Sequence, residues 1–469
     1  MKKLSVTVLL SIFLNSFTFS QSLNGIWEGE LQVIGQNLPL IFNFQQVENE
    51  WTGTMDSPKQ GAKGIALSKV LFDGLMLHFE VGNGVIIFDG LFVGENIQGT
   101  FKQSGMNLPL DLKRSNKTLP EEKELKRPQT PKPPYNYESI EIGFSNQIGD
   151  QLKGTITKPS GKGPFPAVIL ISGSGPQNRN SEIFGHEPFW VIANHLSQNG
   201  TVVLRYDERG VGESQGDFSN ATSSDFFKDA QEAIRHLKSF DFVDKGKVGV
   251  IGHSEGGLIA WMMAAEAENL GLRFSISLAG PVVPITDLMR KQTEDVSRSA
   301  GNPRELVEQQ VSINSRYYQM IKESKDIVDA KSKVKDLIES EFANYELSPE
   351  MKQQQVNTLT QALEKSLNPW FFYFIRTDPE LYIRQIRIPV MAAFGGKDIQ
   401  VNAAQNGNRL LELFEGKDEY LDLKVYPELN HLFQTAYTGS ITEYAEIEET
   451  FNENVLRDIS DFILNLKNK

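Results

Sequence analysis

Residues 23–114 read as β throughout. Leu75, Leu77, Phe79 and Val81 alternate with Met76, His78, Glu80 and Gly82, the period of a strand with one buried face. Turn signals recur at Asn49-Glu50, Asp73-Gly74, Gly82-Asn83-Gly84 and Asp89-Gly90. An internal echo accompanies them: QNLPLIF at 36–42 resembles MNLPLDL at 106–112, and WTGTM at 51–55 resembles IQGTF at 97–101. Short antiparallel strands so spaced predict a small barrel or curled sheet over 21–115. His78 is expected on its solvated face.

Residues 116–137 carry Pro120, Pro128, Pro131, Pro133 and Pro134 among charged residues. Proline holds a chain extended and denies it ladder hydrogen bonds, so this stretch reads as a linker. From 138 to 469 strands and helices alternate. Apolar runs at 152–159, 165–175, 201–206, 247–252, 274–280, 388–396 and 421–429 predict strands. Helical periods appear at 225–239, from Gly257 to about 267, at 403–414 and at 444–466. Near-continuous apolar strands separated by helices predict a mostly parallel sheet covered on both faces, the α/β class. The interval 284–385 breaks the rhythm. It is charged and helical and lies between two core strands, so it is expected to project as an added helical cap.

Composition narrows the function classes. Acidic residues outnumber basic ones, 60 to 47, for a net charge of -13. That disfavours nucleic acid and anionic membrane as partners. The absence of cysteine excludes disulfides, thiolate metal sites, a Cys nucleophile and lipoprotein-type lipid attachment. The six histidines show no metal-ligand spacing, and neither metal nor other cofactor is expected. Residues 1–20 place Lys2 and Lys3 before an apolar stretch ending at Ser20, the pattern of a cleaved export signal. The stretch is interrupted by Ser11, Asn15 and Ser16, and no other segment is apolar enough to span a bilayer. Export to the periplasm or medium is expected, without stable membrane insertion. Oligomeric state is left open.

The sharpest chemical signal is Gly252-His253-Ser254-Glu255-Gly256, a G-x-S-x-G between the apolar strand 248–251 and a helix start. A strand turning sharply into a helix leaves its serine exposed at the sheet's C-terminal edge, and Gly252 and Gly256 supply room for the close approach. A serine hydroxyl needs a base, and the base needs an orienting carboxylate. His431, after the last predicted strand, is the expected base. Asp398, after the strand at 388–394, is the expected acid, with Asp287 as its rival. His253 is expected to tune the site, while His186, His195 and His236 are expected on surfaces. The expected oxyanion donors are the N–H of Glu255 and that of Ser174 in the glycine-rich loop 172–176, with Gly173 second. The loop 205–212 reads as mutually paired structural charges. The aromatic run 370–374 reads as packing of cap on core, with one or two rings expected to line an apolar acyl pocket.

GHSEGG, SGSGPQNRN, RYDERGVGES, NPWFFYFIRTDP, FGGKDIQV and NHLF together resemble the α/β-hydrolase serine esterases of exported bacterial type, some of which carry a lipocalin-like β-domain in front. The resemblance implies an α/β-hydrolase fold with Ser254 as nucleophile, Asp398 as acid and His431 as base. It departs at Ser172, where many relatives have histidine, and at Asn180, where an acid is expected. It implies a carboxylic ester hydrolase working through an acyl-enzyme on short to medium acyl esters, with a small-molecule ester as its partner. The alternatives are a serine peptidase of S9- or S33-like type acting on short peptides, which would need an acidic cluster for the substrate amine, and a binding protein with a silent hydrolase domain.

Overall fold

The computed structural model describes residues 23–33, 36–47, 50–58, 62–82, 84–93, 96–103, 106–115, 126–342 and 349–466. The expected export signal at 1–20 lies outside them. The chain divides into two compact units, 1–122 and 123–469.

In the first unit eight strands follow one another as an antiparallel meander: β1 (Gly25–Val33), β2 (Gln36–Val47), β3 (Glu50–Ser57), β4 (Ala62–Phe72), β5 (Met76–Val81), β6 (Ile86–Val93), β7 (Asn96–Gln103) and β8 (Met106–Arg114). β8 pairs back onto β1, with Trp27 opposite Arg114, and closes the barrel. Alternation sends one face of each strand inward: Leu77, Phe79 and Val81 are buried on β5. The lumen is filled by Trp27, Phe42, Phe44, Phe79, Phe88 and Phe101, each at most 2% exposed. The two NLPL segments lie on β2 and β8, the two neighbours of β1. Asp89-Gly90, expected as a turn, is instead mid-strand on β6. Gly90 pairs with Gly99, and a Cβ on either would come within 2.5 Å of the Phe88 ring. These glycines make room for an aromatic side chain, not for a bend. His78 is held between Asp89, at 2.7 Å, and Glu80, at 3.2 Å.

In the second unit β9 (Tyr137–Ser145), β10 (Gln151–Pro159), β11 (Phe165–Ile171), β12 (Val202–Tyr206), β13 (Val243–His253), β14 (Phe274–Leu278), β15 (Val390–Gly395) and β16 (Leu421–Tyr426) form one sheet. Its order is β16-β15-β14-β13-β11-β12-β10-β9, antiparallel where β10 meets β9 and β12 and parallel from β12 to β16. The β9 strand was not expected, although Ile140, Ile142 and Phe144 alternate with polar residues along it. Just before it, Arg127 donates to the carbonyls of Phe184, Ala445 and Ile447, and Gln129 to that of Phe451. This part of the proline-rich stretch is therefore docked on the second unit.

Helices α1 (Pro188–Gln198), α2 (Ser223–Leu237), α3 (Glu255–Ala265) and α4 (Ala267–Leu270) connect the strands up to β14. Between β14 and β15 come α5 (Ile285–Ser299), α6 (Arg304–Glu323), α7 (Ile327–Phe342), α8 (Pro349–Ser366), α9 (Pro369–Ile375) and α10 (Glu380–Ile383). The helices α11 (Ala403–Phe414) and α12 (Glu453–Leu464) close the chain. One apolar layer joins one sheet face to α2, α3 and α11, and another joins the opposite face to α1 and α12. α12 starts nine residues later than its periodicity suggested, because Asn452 caps it by accepting from Asn454 N. Tyr444 lies in a loop instead and is buried. Parallel strands, helices on both faces and a serine on the turn from β13 to α3 constitute the α/β-hydrolase fold, preceded by a separate all-β barrel.

Candidate active site

Ser254 stands between β13 and α3 with φ 55° and ψ −118°. A left-handed φ in a residue with a Cβ costs about 1–3 kcal/mol, so the surroundings must enforce it. Part of that enforcement is the bond from Ser254 N to Leu278 O at 2.9 Å. The rest is close packing. A Cβ on Gly252 would lie 1.9 Å from Gly256 O, and one on Gly256 would lie 2.1 Å from Ile171 O. Only glycine lets α3 pass so near β11 and β13.

His431 and Asp398 meet from the loops after β16 and β15. His431 Nδ1 lies 2.7 Å from Asp398 Oδ2, and both side chains are almost fully buried. The other Asp398 oxygen accepts from Gln400 N at 2.7 Å and Val401 N at 2.8 Å, which fixes the carboxylate plane. Nδ1 therefore donates to Asp398, leaving the Nε2 lone pair free. The His431 loop is tied by Asn430 Oδ1, which accepts from Leu432 N and Gln434 N. Asp287 lies in the first turn of α5, and the imidazole takes Asp398 as its partner.

His253 Nε2 donates to the His431 carbonyl at 2.8 Å, and the two rings lie 4.8 Å apart. Burial, with His431 beside it, pushes its pKa down to about 4, so it stays neutral at pH 7. Ser254 and His431 line one cavity of about 270 Å³, together with Gly173, Ser174 and His253. The Ser254 hydroxyl has no hydrogen-bond partner among the described residues.

The loop after β11 approaches Ser254 closely: a Cβ on Gly173 would sit 3.1 Å from Ser254 Cβ. The N–H groups of Gly173, Ser174 and Glu255 find no acceptor among the described residues. Ser172 donates its hydroxyl to Glu208 Oε1 at 2.8 Å, and Gln177 N donates to Oε2 at 2.9 Å. Burial pushes the Glu208 pKa up to about 8, against those two donors, and the charges of Glu255 and Asp229 add to the rise. Asn180 accepts from the buried Arg205 and donates to Glu187 at 2.8 Å. The other charges of the 205–212 loop pair outward: Arg209 with Asp229 at 2.7 Å and Asp207 with Arg179 at 2.7 Å.

The rest of the cavity is mostly apolar. Phe189 and Ile192 come from α1, Leu288 and Met289 from α5, and Trp370 and Phe374 from α9. The aromatic run thus divides by helical spacing. Trp370 and Phe374, four residues apart, face the cavity and stack at 5.1 Å, whereas Phe371 packs on Tyr317 and Tyr318. Gln400 and Tyr444 also line it, with Gln400 Nε2 donating to Tyr444 Oη at 3.0 Å. Sequence reasoning missed Glu208, Gln400 and Tyr444 as neighbours of the site, and their partners lie too far along the chain for any local pattern to signal them. His186, expected at the surface, is 1% exposed and bonds Thr450 Oγ1 at 2.9 Å. Among the described residues no three His, Asp or Glu side chains converge as a metal cage.

This arrangement is one that acyl transfer can use: a hydroxyl at a helix N-terminus, an imidazole held by a carboxylate, and free N–H groups on a glycine-rich loop. Known proteins agree at the level of hydrolase. Esterase EstD of Thermotoga maritima is 26% identical over 439 residues, covering 91% of this chain and 92% of its own. Human dipeptidyl peptidase 8 is 30% identical over 183 residues, 37% of this chain and 19% of its own. The solved structure of the Pyrococcus furiosus esterase Pf2001 aligns over 70% of this chain and 92% of that one, at 16% identity and a TM-score of 0.40. Residues 149–410, more than half of the chain, match the family described as X-Pro dipeptidyl-peptidase (S15 family), and to that S15 family the chain belongs.

Proposed function

We propose that the protein is a serine carboxylic ester hydrolase acting on uncharged esters of short to medium acyl length. The observation that carries this reading is the lining of the cavity. Among the described residues that line it there is no Asp, Glu, Lys or Arg. A dipeptidyl substrate arrives with a protonated amine, and burying that charge without a carboxylate costs several kcal/mol. An ester with an apolar acyl chain carries no such charge. The likeness to Esterase EstD, which extends over both units, supports the same reading.

In this mechanism the Ser254 oxygen attacks the ester carbonyl while its proton passes to His431 Nε2. Asp398 holds the imidazole in the required tautomer and stabilises the imidazolium that forms. In an unliganded site the serine–histidine bond is often long and tightens when substrate binds. The N–H groups of Glu255 and Ser174 take the developing oxyanion. His431 then returns the proton to the departing alkoxide, which leaves as the alcohol. Water, deprotonated by the same imidazole, hydrolyses the acyl-enzyme. The helices between β14 and β15 act as a cap whose Leu288, Met289, Trp370 and Phe374 surround the acyl chain. The sequence of residues 1–20 supports export, to periplasm or medium.

The S15 match favours a second reading, a peptidase releasing X-Pro dipeptides. Parallel assays with p-nitrophenyl butyrate and an aminoacyl-prolyl-p-nitroanilide separate the two. The ester is expected to be cleaved and the amide not, and Ser254→Ala is expected to lower ester turnover by about 10⁴-fold or more. Efficient amide cleavage, or unchanged ester cleavage by Ser254→Ala, overturns the reading.

A further inference from the structure

Glu208 stands two residues past β12 and is buried, yet it is not among the residues that line the cavity. An apolar side chain of similar size would occupy that space without the cost of taking a carboxyl group out of water. Both of its oxygens go instead to one loop. Oε1 accepts from Ser172 Oγ at 2.8 Å and Oε2 from Gln177 N at 2.9 Å, while Glu208 N donates to Gln177 O at 3.3 Å. β11 and β12 are parallel neighbours, so the loops that follow them leave the sheet at the same edge and meet there. Ser172 and Gln177 bracket the stretch Gly173-Ser174-Gly175-Pro176. Within it lie the Gly173 and Ser174 N–H groups that find no acceptor among the described residues.

We propose that Glu208 is a positioning residue that clamps both ends of the loop 172–177 and so holds the Gly173 and Ser174 N–H groups where the oxyanion forms. The proposal rests on the reading of Ser254 as nucleophile and of the 173–174 loop as oxyanion donor. Glu208 itself touches no substrate. The other donor, the Glu255 N–H, stands at the head of α3, and α3 packs on the root of the same loop: a Cβ on Gly256 would lie 2.6 Å from Ser172 O. The clamp therefore sets the spacing of two donors that belong to different elements. Such donors act only when they reach the oxyanion within about 2.7–3.1 Å, and a loop released at either end loses that fit. The neighbouring Asp207 does a different job. Its Oδ1 accepts from Arg179 N at 2.7 Å, two residues beyond the clamp, and its carboxylate pairs with the Arg179 side chain.

Four variants separate positioning from mere stability. Glu208→Leu removes both bonds to the loop. Its kcat for p-nitrophenyl butyrate is expected to fall about 30-fold with KM within about twofold, a part of the loss that follows removal of a whole donor. Glu208→Gln keeps the clamp, its oxygen accepting from Gln177 N and its amide donating to Ser172 Oγ, and is expected to come back to within about threefold of the parent kcat. Ser172→Ala frees one end and is expected to cost about fivefold in kcat. Asp229→Asn weakens the buried pair with Arg209 on the same 205–212 segment without touching 172–177. It is expected to lower the melting temperature while leaving kcat within about twofold.

A hexyl trifluoromethyl ketone reads the same donors at equilibrium. The Ser254 oxygen bonds its carbonyl carbon, the serine proton passes to His431, and the carbonyl oxygen takes the negative charge. Its inhibition constant is expected to rise in each variant by the factor by which kcat/KM falls. A parent protein that neither cleaves the ester nor takes a fluorophosphonate label sinks the hydrolase reading itself. With an active parent, three results each overturn the positioning role: Glu208→Leu and Ser172→Ala both within twofold of the parent kcat, Glu208→Gln as slow as Glu208→Leu, or Asp229→Asn losing as much kcat as Glu208→Leu. If Glu208→Leu does not fold, Ser172→Ala against Asp229→Asn decides alone.

Discussion

The two units solve the same packing problem with sheets of opposite design. The barrel bonds its last strand to its first and fills the enclosed space with aromatic rings, so that no edge is left open. The second unit keeps an open sheet covered by helices, and the loops at the C-terminal ends of β11, β13, β15 and β16 converge on a cavity. Closure spends every inward position on packing, whereas an open parallel sheet leaves its strand ends to gather side chains from distant parts of the chain. Glycine marks the contrast. In the barrel Gly90 yields to the Phe88 ring and the Ile97 side chain, while at the elbow Gly252 and Gly256 yield to backbone carbonyls. A ring can shift in response to an added methyl group, but a carbonyl in a central strand cannot.

The largest expected effect follows from that difference. Gly256→Ala forces a Cβ to 2.1 Å from Ile171 O, and Gly90→Ala forces one to 2.5 Å from Phe88 Cε1. The first is expected to destabilise its unit by more than about 4 kcal/mol and to abolish ester hydrolysis. The second is expected to cost the barrel about 1–3 kcal/mol, an overpacking penalty, with kcat within twofold of the parent. Thermal unfolding and ester turnover on both variants check this. A Gly90→Ala protein that folds but has lost turnover as completely as Gly256→Ala would end the idea that the units act separately.

A middling effect concerns pH. Glu208 keeps its proton to about pH 8 in the folded chain against 4.5 ordinarily, so the folded form binds the extra proton across that window and loses stability as pH rises through it. His253 does the reverse. Its pKa is about 4 when folded against 6.5 ordinarily, so stability falls as pH drops through that window. The two slopes oppose each other between about 4.5 and 6.5, and above 6.5 the His253 slope is gone while that of Glu208 runs on to about 8. Over that upper span, at 1.4 kcal/mol per unit, the second unit is expected to lose about 2 kcal/mol. In the barrel, Glu80 and Asp89 are shifted the other way, downward, first by hydrogen bonds from His78 and Lys102 respectively. Its stability is therefore expected to be flat from pH 6.5 to 8. Denaturant unfolding at pH 6.5, 7 and 8 tests the contrast. Glu208→Gln should remove the decline, and a decline that survives the substitution assigns it to another group.

The same contrast explains what could be read from the chain itself. The elbow is legible because its whole argument, strand, glycine, serine, glycine, helix, lies within ten residues. Asp398 and His431 are legible because each follows an apolar strand directly, and strand ends in a parallel sheet share a rim. The barrel's alternation is legible for the same local reason. Gly90 was misread because a glycine that accommodates a ring and a glycine that turns a chain look alike without the partner strand. Tyr444 was misread because apolar spacing continued past the Asn452 cap. Glu208 beneath Ser172, and Trp370 bonded to Glu255, join residues 36 and 115 positions apart, and nothing local encodes such pairs.

The smallest expected effect compares two local caps of similar strength. Asn368 Oδ1 accepts from Phe371 N at 2.8 Å and starts α9, the short helix that aims Trp370 and Phe374 into the cavity. Asp73 Oδ1 accepts from Leu75 N at 2.9 Å and Met76 N at 2.7 Å and shapes the turn from β4 to β5. Replacing Asn368 by alanine is expected to cost about 1 kcal/mol, the usual worth of a helix cap. Asp73→Ala removes a turn bond of the same kind. Only the first starts a helix that lines the cavity. Asn368→Ala is expected to raise KM for p-nitrophenyl hexanoate about two- to fivefold with kcat nearly unchanged, because fraying of α9 loosens the wall without touching Ser254, His431 or Asp398. Asp73→Ala is expected to leave both constants where they were. Equal shifts in KM from the two variants would mean that the barrel turn reaches the catalytic unit after all, and the separation drawn between a filled barrel and an open-sheet site would need replacing by a coupled one.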